Sequence, residues 1–555
     1  MHHMKADIIV KGKIYNGKEV KHMPEMFAVK DGIFIYVGSL DQMEMLQDEY
    51  TKVYELDQEL VIPGMFEGHA HVCSGIDLLH GVNLYGLDSA MSYIEAVRNY
   101  IDEHPDQNYI IGRGFQNGDF GNLGPTAAML DQLSTDKYII LDSEDCHSSW
   151  VNSKVLRVAG IDYDTKDLVN GVIVRYPESG QPTGWLKEKA MNRVKELLPR
   201  YSVEDYKAAI LKYQNMAFSY GIVCCFEPIM NDKKDIDLRI KAYHELDKEH
   251  KLTMQFCASI TMDPEDDIEQ ILHKVQFYRK SYTDSHFKLM GVKVFIDGVI
   301  EGHTAFLREP YADCEDDCGY NMWEQTKLNN LFVNAAKLDI PIHVHAIGDS
   351  AVDSALDAFE EGIQVTGKRE LRNCITHLQI VGKDQFTRMK ELGIIAVTNP
   401  FWHYKNPGYY NSLEVPYLGK ERADNEYPLK SFFDHDIIVT QASDWPVSYC
   451  CYPLLGLETA VTRKEGGNTE MEPLNEKEIV TVEQMLKAVT ANGAYQMGIE
   501  TITGTIEVGN KADFLILDQD VLTIPSEDLA KTKVSRCFID GKEVYYQSYN
   551  TAEMT

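Results

Sequence analysis

The chain has 555 residues and carries 54 basic against 86 acidic side chains, a formal charge of −32. Hydrophobic residues make up 44% and charged residues 25%, the composition of a globular protein rather than of a disordered or fibrous one. The acidity argues against a nucleic-acid partner, whose phosphates need clustered Lys and Arg, and no apolar run of about eighteen residues is present to cross a membrane.

At this length a single hydrophobic core is not expected. Residues 6–62 read as short β-strands rich in β-branched and aromatic side chains, punctuated by Gly12, Gly17, Gly32, Gly38 and Gly64. The last ordered stretch, GTIEVGNKADFLILD (504–518) followed by VSRCFIDGKEVYY (534–546), has the same character. Both ends are therefore expected to build one small β domain, 1–62 plus 503–555, with 63–502 inserted as one continuous body.

That body alternates strand and helix signals. YIILD (138–142), GIVCCFEPI (221–229), LTMQFCASI (252–260), KLMGVKVFIDG (288–298), IPIHVHAIGD (340–349), NCITHLQIV (373–381), GIIAVTNPFW (393–402) and DIIVTQASDWPV (436–447) are apolar runs of the kind buried on both faces. Between them lie amphipathic helices. The clearest spans 202–220, with Ser202 and Asp205 able to form a capping box and Gly221 closing it. The alternation predicts an α/β fold, a (β/α)8 TIM-like barrel with a small β-sandwich domain from both termini; a doubly wound sheet is the competitor. The Gly-, Asp- and Asn-rich stretch 80–200 is irregular for a barrel and reads as an α/β insertion covering the site. The N-terminal MHHMKADIIV lacks the pattern of a secretory leader. Eleven cysteines, sparse and odd in number, imply no disulfide framework, so a cytoplasmic home is the expectation.

The informative residues end the strands, where parallel barrels place catalytic groups. PGMFEGHAHV (63–72) gives His69 and His71, whose i, i+2 spacing lets both imidazoles reach one metal. GVKVFIDG (291–298) buries Lys293 in an apolar run, where a protonated amine needs a partner or a lowered pKa. HVHAIGD supplies His343 and His345, CITHLQ supplies His377, and ASDWPV supplies Asp444. Each alone reads as a satisfied core polar group. As an ordered set on successive strands they point to metal chemistry.

These stretches, with DSEDCHSSWVNS (142–153), QPTGWLKE (181–188) and the terminal GTIEVGNKADFLILD, resemble the amidohydrolase superfamily over nearly the whole chain. The resemblance is closest to its YtcJ-like, N-substituted formamide deformylase-like branch (amidohydrolase family 3). It implies that His69, His71 and Asp444 bind one divalent cation and that His345 and His377 bind a second. Lys293 would bridge the two through a carbamate formed with CO2, with His343 in a supporting place. Zinc suits this ligand set best, with Mn, Fe or Ni as substitutes. The implied reaction is hydrolysis of a non-peptide carbon–nitrogen bond in an amide, formamide or cyclic amide. A metal-bridged hydroxide would attack, and Asp444 would act as general base and then acid.

The insertion is expected to supply substrate contacts. Cys146, His147, Trp150 and Asn152 match the family's D-x-H-x-x-W-x-N-S pattern, and Glu188 lies in its T-G-x-L-x-E motif. Of these, His147, Trp150 and Glu188 join the candidate substrate set, Trp150 with a packing role as its alternative. After Lys293, DGVIEGHT (297–304) places His303 where many relatives carry Arg, and TNPFWHY (398–404) departs from the usual Gln-Pro at Asn399. His303 and Trp402 complete the candidate substrate set, with Phe401 and His403 beside Trp402. Cys314 and Cys318 lack a second pair, which argues against a structural zinc site. Rival readings are a mononuclear heterocycle deaminase, a lactone or ester hydrolase on the same scaffold, and a non-catalytic barrel homologue. The bridging lysine and the complete ligand set discriminate against the first and the last. The expected partner is a small-molecule substrate, and a homodimer is compatible with the sequence.

Overall fold

The computed structural model describes residues 5–18, 20–21, 23–121, 123–144, 148–167, 171–198, 200–229, 235–283 and 285–547. Two compact units emerge, one formed by Met1–His71 with Tyr213–Thr555 and the other by Val72–Lys212.

The larger unit contains an eight-stranded sheet. Its strands are β1 (Met65–Glu67), β2 (Ile222–Ile229), β3 (Gln255–Thr261), β4 (Phe287–Phe295), β5 (Ile342–Ala346), β6 (Cys374–His377), β7 (Ile395–Thr398) and β8 (Val439–Gln441). Every neighbouring pair from β1 to β8 is parallel. The two edges meet just past their ends, where Gly68 N–H donates to the Gln441 carbonyl (3.0 Å), Asp444 N–H to His69 O (2.8 Å) and His71 N–H to Trp445 O (2.7 Å). The sheet is thus a barrel, and its strands are buried on both faces, as continuous Val/Ile runs require. Helices follow the strands, among them Ile236–Lys248, Ile268–Ser281, Gln325–Lys337, Asp349–Thr366 and Lys383–Leu392.

The same unit holds a seven-stranded sheet drawn from both termini. The long strand Lys52–Pro63 lies at its middle, pairing parallel with Ile8–Ile14 on one side and antiparallel with Phe514–Leu517 on the other. One hydrogen-bonded sheet, rather than two stacked ones, makes this domain. It folds over on itself: Phe34 N–H donates to Asn510 O (2.9 Å), and edge-strand Phe34 meets Phe514 across the core (6.2 Å between ring centroids). Lys52–Pro63 runs straight into β1, so the terminal sheet anchors the start of the barrel.

The unit Val72–Lys212 leaves the chain between β1 and β2. It carries a six-stranded mixed sheet in the order Gly171–Arg175, Pro182–Glu188, Ser148–Val151, Tyr138–Ser143, Tyr109–Phe115, Val82–Asn83. YIILD therefore belongs to this sheet and not to the barrel. The barrel's first strand is instead the short MFE that precedes the histidine pair. The helix Val203–Ser219 begins at the expected capping box, with Asp205 N–H donating to Ser202 Oγ (3.3 Å) and Ser202 N–H to Asp205 Oδ2 (2.7 Å). It stops before Gly221, whose φ of 74° suits glycine and whose missing Cβ makes room for Leu515.

Candidate metal centre

Side chains from the ends of β1, β4, β5, β6 and the turn after β8 converge at the C-terminal mouth of the barrel. His69 and His71 follow β1, Lys293 lies in β4, His345 in β5, His377 closes β6, and Asp444 lies just past β8. All are buried. Asp444 Oδ1 stands 3.0 Å from His71 Nε2 and 3.2 Å from His69 Nε2, and the two Nε2 atoms are 3.2 Å apart. The His345 and His377 rings are 4.5 Å apart, and those of His69 and His377 5.4 Å. Candidate donor atoms of His69, His377 and Asp444 lie within 4.8 Å of one another.

The second nitrogen of each imidazole is already engaged. His71 Nδ1 bonds the Pro228 carbonyl (3.1 Å), His345 Nε2 the Gly298 carbonyl (3.1 Å), and His377 Nδ1 the Asn399 Oδ1 (3.0 Å). An oxygen of this kind only accepts, so the hydrogen sits on that nitrogen and the other nitrogen of a neutral ring is a lone pair. Asn399 is oriented in turn by its Nδ2, which donates to Ala442 O (3.3 Å). His69 Nδ1 pairs with His343 Nε2 at 2.8 Å.

The consequence is electrostatic. Lone pairs of His69, His71 and Asp444 face one another at about the contact distance, while His345 Nδ1 and Lys293 Nζ have no hydrogen-bonding partner. Such a set repels itself unless a cation lies among its atoms, and outer groups that fix imidazole orientation are what metal ligands require. The residues therefore fit divalent metal.

Burial keeps the rings of His69, His345 and His377 neutral. Desolvation, helped by the Lys293 charge, pushes His69 well below the usual histidine range and His345 down to about 3. His377 is lowered by burial and then by His345. Burial also lowers Lys293 to about 7, with Asp444 opposing, so its amine is neutral in a good fraction of molecules near neutrality. Burial alone would raise Asp444, but the neighbouring His71, His377 and Lys293 hold it below the ordinary carboxylate range.

Strain marks the same place. His377 (φ 76°) and Asp444 (φ 58°) occupy the left-handed region, which costs a non-glycine residue roughly 1–3 kcal/mol. Backbone bonds from Asp444 N–H to His69 O and from Leu378 N–H to Ala346 O hold the two turns.

Two positioning groups had no sequence signal. Glu67 is buried, its Oε1 accepting from His69 N–H (3.0 Å) and Ser443 N–H (2.9 Å), so it staples the first barrel strand to the turn bearing Asp444. Asp297 accepts from Ile347, Gly348 and Phe306 N–H groups (3.0, 2.9 and 2.9 Å) and shapes the loop after His345. Burial raises both carboxyls to about 7. Each accepts from at least one backbone amide far off in the sequence, Ser443 for Glu67 and Ile347 and Gly348 for Asp297, so spacing could not reveal them.

The expected substrate residues divide. Trp402 is half-buried, stacks on His377 (5.5 Å, 18°) and donates its indole N–H to Ser448 Oγ (2.9 Å), which puts it at the centre. Phe401 is buried beside it, and His403 is buried against Tyr427 (4.6 Å). His303 stacks on Tyr311 (4.4 Å) and faces Asp313 (3.3 Å) and Asp317 (3.6 Å), so protein groups already engage its ring. Trp150 corrects the expectation of a substrate surface. It is fully buried in the insertion's core, packed on Phe120 and Phe115, with its indole N–H spent on Thr126 O (2.7 Å). Asn152 caps the helix Ser153–Val158 through Val155 N–H (3.2 Å). Glu188 is exposed at the end of its strand with φ 51°. Cys146 and His147 lie outside the described residues. Cys314 and Cys318 are free, Cys314 exposed. Among the described residues no helix is long and apolar enough to cross a membrane.

Comparison with known proteins places the chain in a family and agrees with its fold. The model of the amidohydrolase family matches residues 52–545. The protein YtcJ of Bacillus subtilis is 26% identical over 97% of this chain and 99% of its own length. N-substituted formamide deformylase of Arthrobacter pascens is 24% identical over 92% of this chain and 93% of its own. Among solved structures, an uncharacterized metal-dependent hydrolase from Pyrococcus furiosus shares the fold with a TM-score of 0.73, at 24% identity over 93% of this chain and 100% of that one.

Proposed function

The chain belongs to the amidohydrolase family and is a metal-dependent hydrolase acting on carbon–nitrogen bonds, and from that premise we propose that it cleaves a non-peptide amide, formamide or cyclic amide using two divalent cations. Formamides stand among the candidates because one relative is named for acting on N-substituted formamides. The observation that carries the two-cation reading is Lys293. It is buried without a hydrogen-bonding partner, with its amine pKa lowered to about 7, beside two further imidazoles that have a free nitrogen.

In this reading His69, His71 and Asp444 would hold one cation, and His345 and His377 would hold the other. Lys293 would serve between them as a carbamate, its neutral amine bonding the carbon of CO2 and losing a proton to solvent, which would supply anionic oxygen donors. The cations, when bound, would supply Lewis acidity that makes water a nucleophile near pH 7 and polarises the substrate carbonyl. Asp444 accepts the water's proton at its carboxylate. It then returns that proton to the leaving nitrogen, which would otherwise depart as a poor amide anion. Glu67 and Asn399 hold the His69 backbone and the His377 ring so that these atoms keep their places. Trp402 covers the His377 face and offers an aromatic wall to substrate.

A single-cation reading has one observation in its favour, the close grouping of His69, His377 and Asp444. Elemental analysis separates the two: roughly two ions per chain are expected, zinc first among them. A screen of N-acyl, formamide and cyclic amide compounds against metal-replete protein then tests the reaction. Asp444→Asn is expected to lose about 10²–10⁴-fold in kcat, the range for a positioned acid–base group. Full activity in that variant with metal retained would remove the proton-shuttle role.

A further inference from the structure

The pairing of His69 with His343 continues inward. Below the metal centre, towards the N-terminal ends of the strands, a small and mainly apolar cavity includes Ser259, His343, Arg372 and Gln496 in its lining, beside Phe226 and Cys374. Four of its lining residues carry a buried polar atom without a hydrogen-bonding partner: Ser259 Oγ, His343 Nδ1, Arg372 Nη1 and Gln496 Oε1. Ser259, His343 and Gln496 are each more than nine-tenths buried. Leaving such groups unsatisfied costs roughly 1–3 kcal/mol apiece, so their gathering around one cavity calls for an occupant.

Hydrogen placement says what the occupant must do. His69 Nε2 faces the lone-pair atoms of His71 and Asp444, so as a metal ligand it carries its hydrogen on Nδ1 and donates to His343 Nε2 across 2.8 Å. A neutral ring that accepts at Nε2 carries its own hydrogen at Nδ1. That N–H therefore needs an acceptor, and Phe226, stacked flat on the ring (4.7 Å, 17°), leaves only the ring edge to provide the contact. The cavity also presents donors in Arg372 and Ser259 and an acceptor in Gln496 Oε1. Water both accepts and donates, and the space is about the size of one such molecule. Gln496 ties the cavity to the centre a second time, its Nε2 donating to Gly68 O (2.9 Å) directly before His69.

We propose that this cavity is an internal water site, and that His343, held there by water at Nδ1, is a positioning residue that fixes the tautomer and orientation of His69. The proposal rests on the reading of His69 as a metal ligand, and it makes the lower half of the barrel part of the metal-binding apparatus.

The test compares His343→Leu, which removes the acceptor, with His343→Gln, whose amide oxygen can reach the place of Nε2. Zinc retention against a competing chelator is measured in both, with circular dichroism as the check on folding. His343→Leu is expected to release zinc about 10–100-fold more readily, the range for lost outer-shell partners, while His343→Gln stays close to the unsubstituted protein. Equal retention in His343→Leu and the unsubstituted protein overturns the proposal, as does equal loss in both variants. A protein that binds no zinc before substitution breaks the metal reading instead. The inference is then decided in the metal-free protein by the ¹⁵N spectrum of labelled histidines, assigned by the signal lost in His343→Leu. Hydrogen on Nδ1 of both His69 and His343 supports it, and hydrogen on Nε2 of His69 overturns it. A crystal structure with water against His343 Nδ1 supports the site; a dry cavity overturns it.

Discussion

The two β systems of the larger unit bury polar groups in opposite ways. In the terminal sheet, Phe27, Phe34, Phe514 and Phe538 pack ring against ring, Phe27 and Phe514 at 4.9 Å and Phe514 and Phe538 at 4.3 Å. A buried acid there, Asp513, is satisfied by Thr503 Oγ1 (2.7 Å) and Asp540 N–H (2.8 Å). In the barrel mouth, built from equally apolar strands, Lys293 Nζ and His345 Nδ1 are buried without partners, and the Asp444 carboxylate faces imidazole lone pairs. A buried polar residue therefore says little about function by itself. What marks the mouth is that several ionisable and ligand-type groups with incomplete hydrogen bonds stand together there, whereas Tyr15 Oη beside the terminal sheet is unpartnered singly.

If that contrast is right, damage to the terminal sheet should cost stability and leave the metal centre intact. Phe514→Ala removes a fully buried ring in contact with three others and is expected to cost about 3–5 kcal/mol in denaturant unfolding. Zinc per folded chain should not change. A parallel fall in zinc content would break the comparison, because it would mean that the terminal sheet positions the ligands. The complementary measurement adds zinc. Free zinc at about 100 times its dissociation constant should stabilise the protein by roughly 2.7 kcal/mol, since cation binds the assembled site and not the separated side chains. The Phe514→Ala protein should gain as much. No gain in either would return the mouth to the class of unexplained buried polar groups.

The sequence carried the barrel and the candidate site unevenly, and the reasons are physical. His69, His71, Lys293, His345, His377 and Asp444 were legible because polar side chains closing apolar runs are rare and recur strand after strand. YIILD (138–142) has the same composition as the barrel strands because a strand buried on both faces looks alike in any parallel arrangement, and its neighbours at 109–115 and 148–151 decide its sheet. Trp150 shared a motif with candidate site residues, yet its burial and its bond to Thr126 depend on the insertion's packing, which periodicity does not encode. Glu67 was invisible for a different reason. One of its partners, the Ser443 amide, is 376 residues away, and closing the barrel is what brings them together.

The sharpest discriminator is also the smallest effect, the substitution Lys293→Met in metal-free protein. An unpartnered buried amine destabilises the fold, and a thioether of similar length does not, so the variant should be more stable by roughly 1–3 kcal/mol at pH 7. The difference should depend on pH with a definite sign. In the fold Lys293 titrates at about 7, against an ordinary value of 10.5 for the unfolded chain. Between those values the unfolded chain binds a proton that the folded one does not, so the unsubstituted protein gains stability as pH rises through the window. Below pH 7 both states are protonated and the burial penalty is present in full. The advantage of Lys293→Met should therefore be greatest near pH 7 and shrink towards pH 10.5. Measured in CO2-depleted buffer, a variant less stable than the parent, or a difference flat across the window, would show that the amine has a protein partner after all. On the proposed two-cation reading zinc should reverse the ranking, because the methionine protein would lack the bridging group and forgo most of the stabilisation that the parent gains.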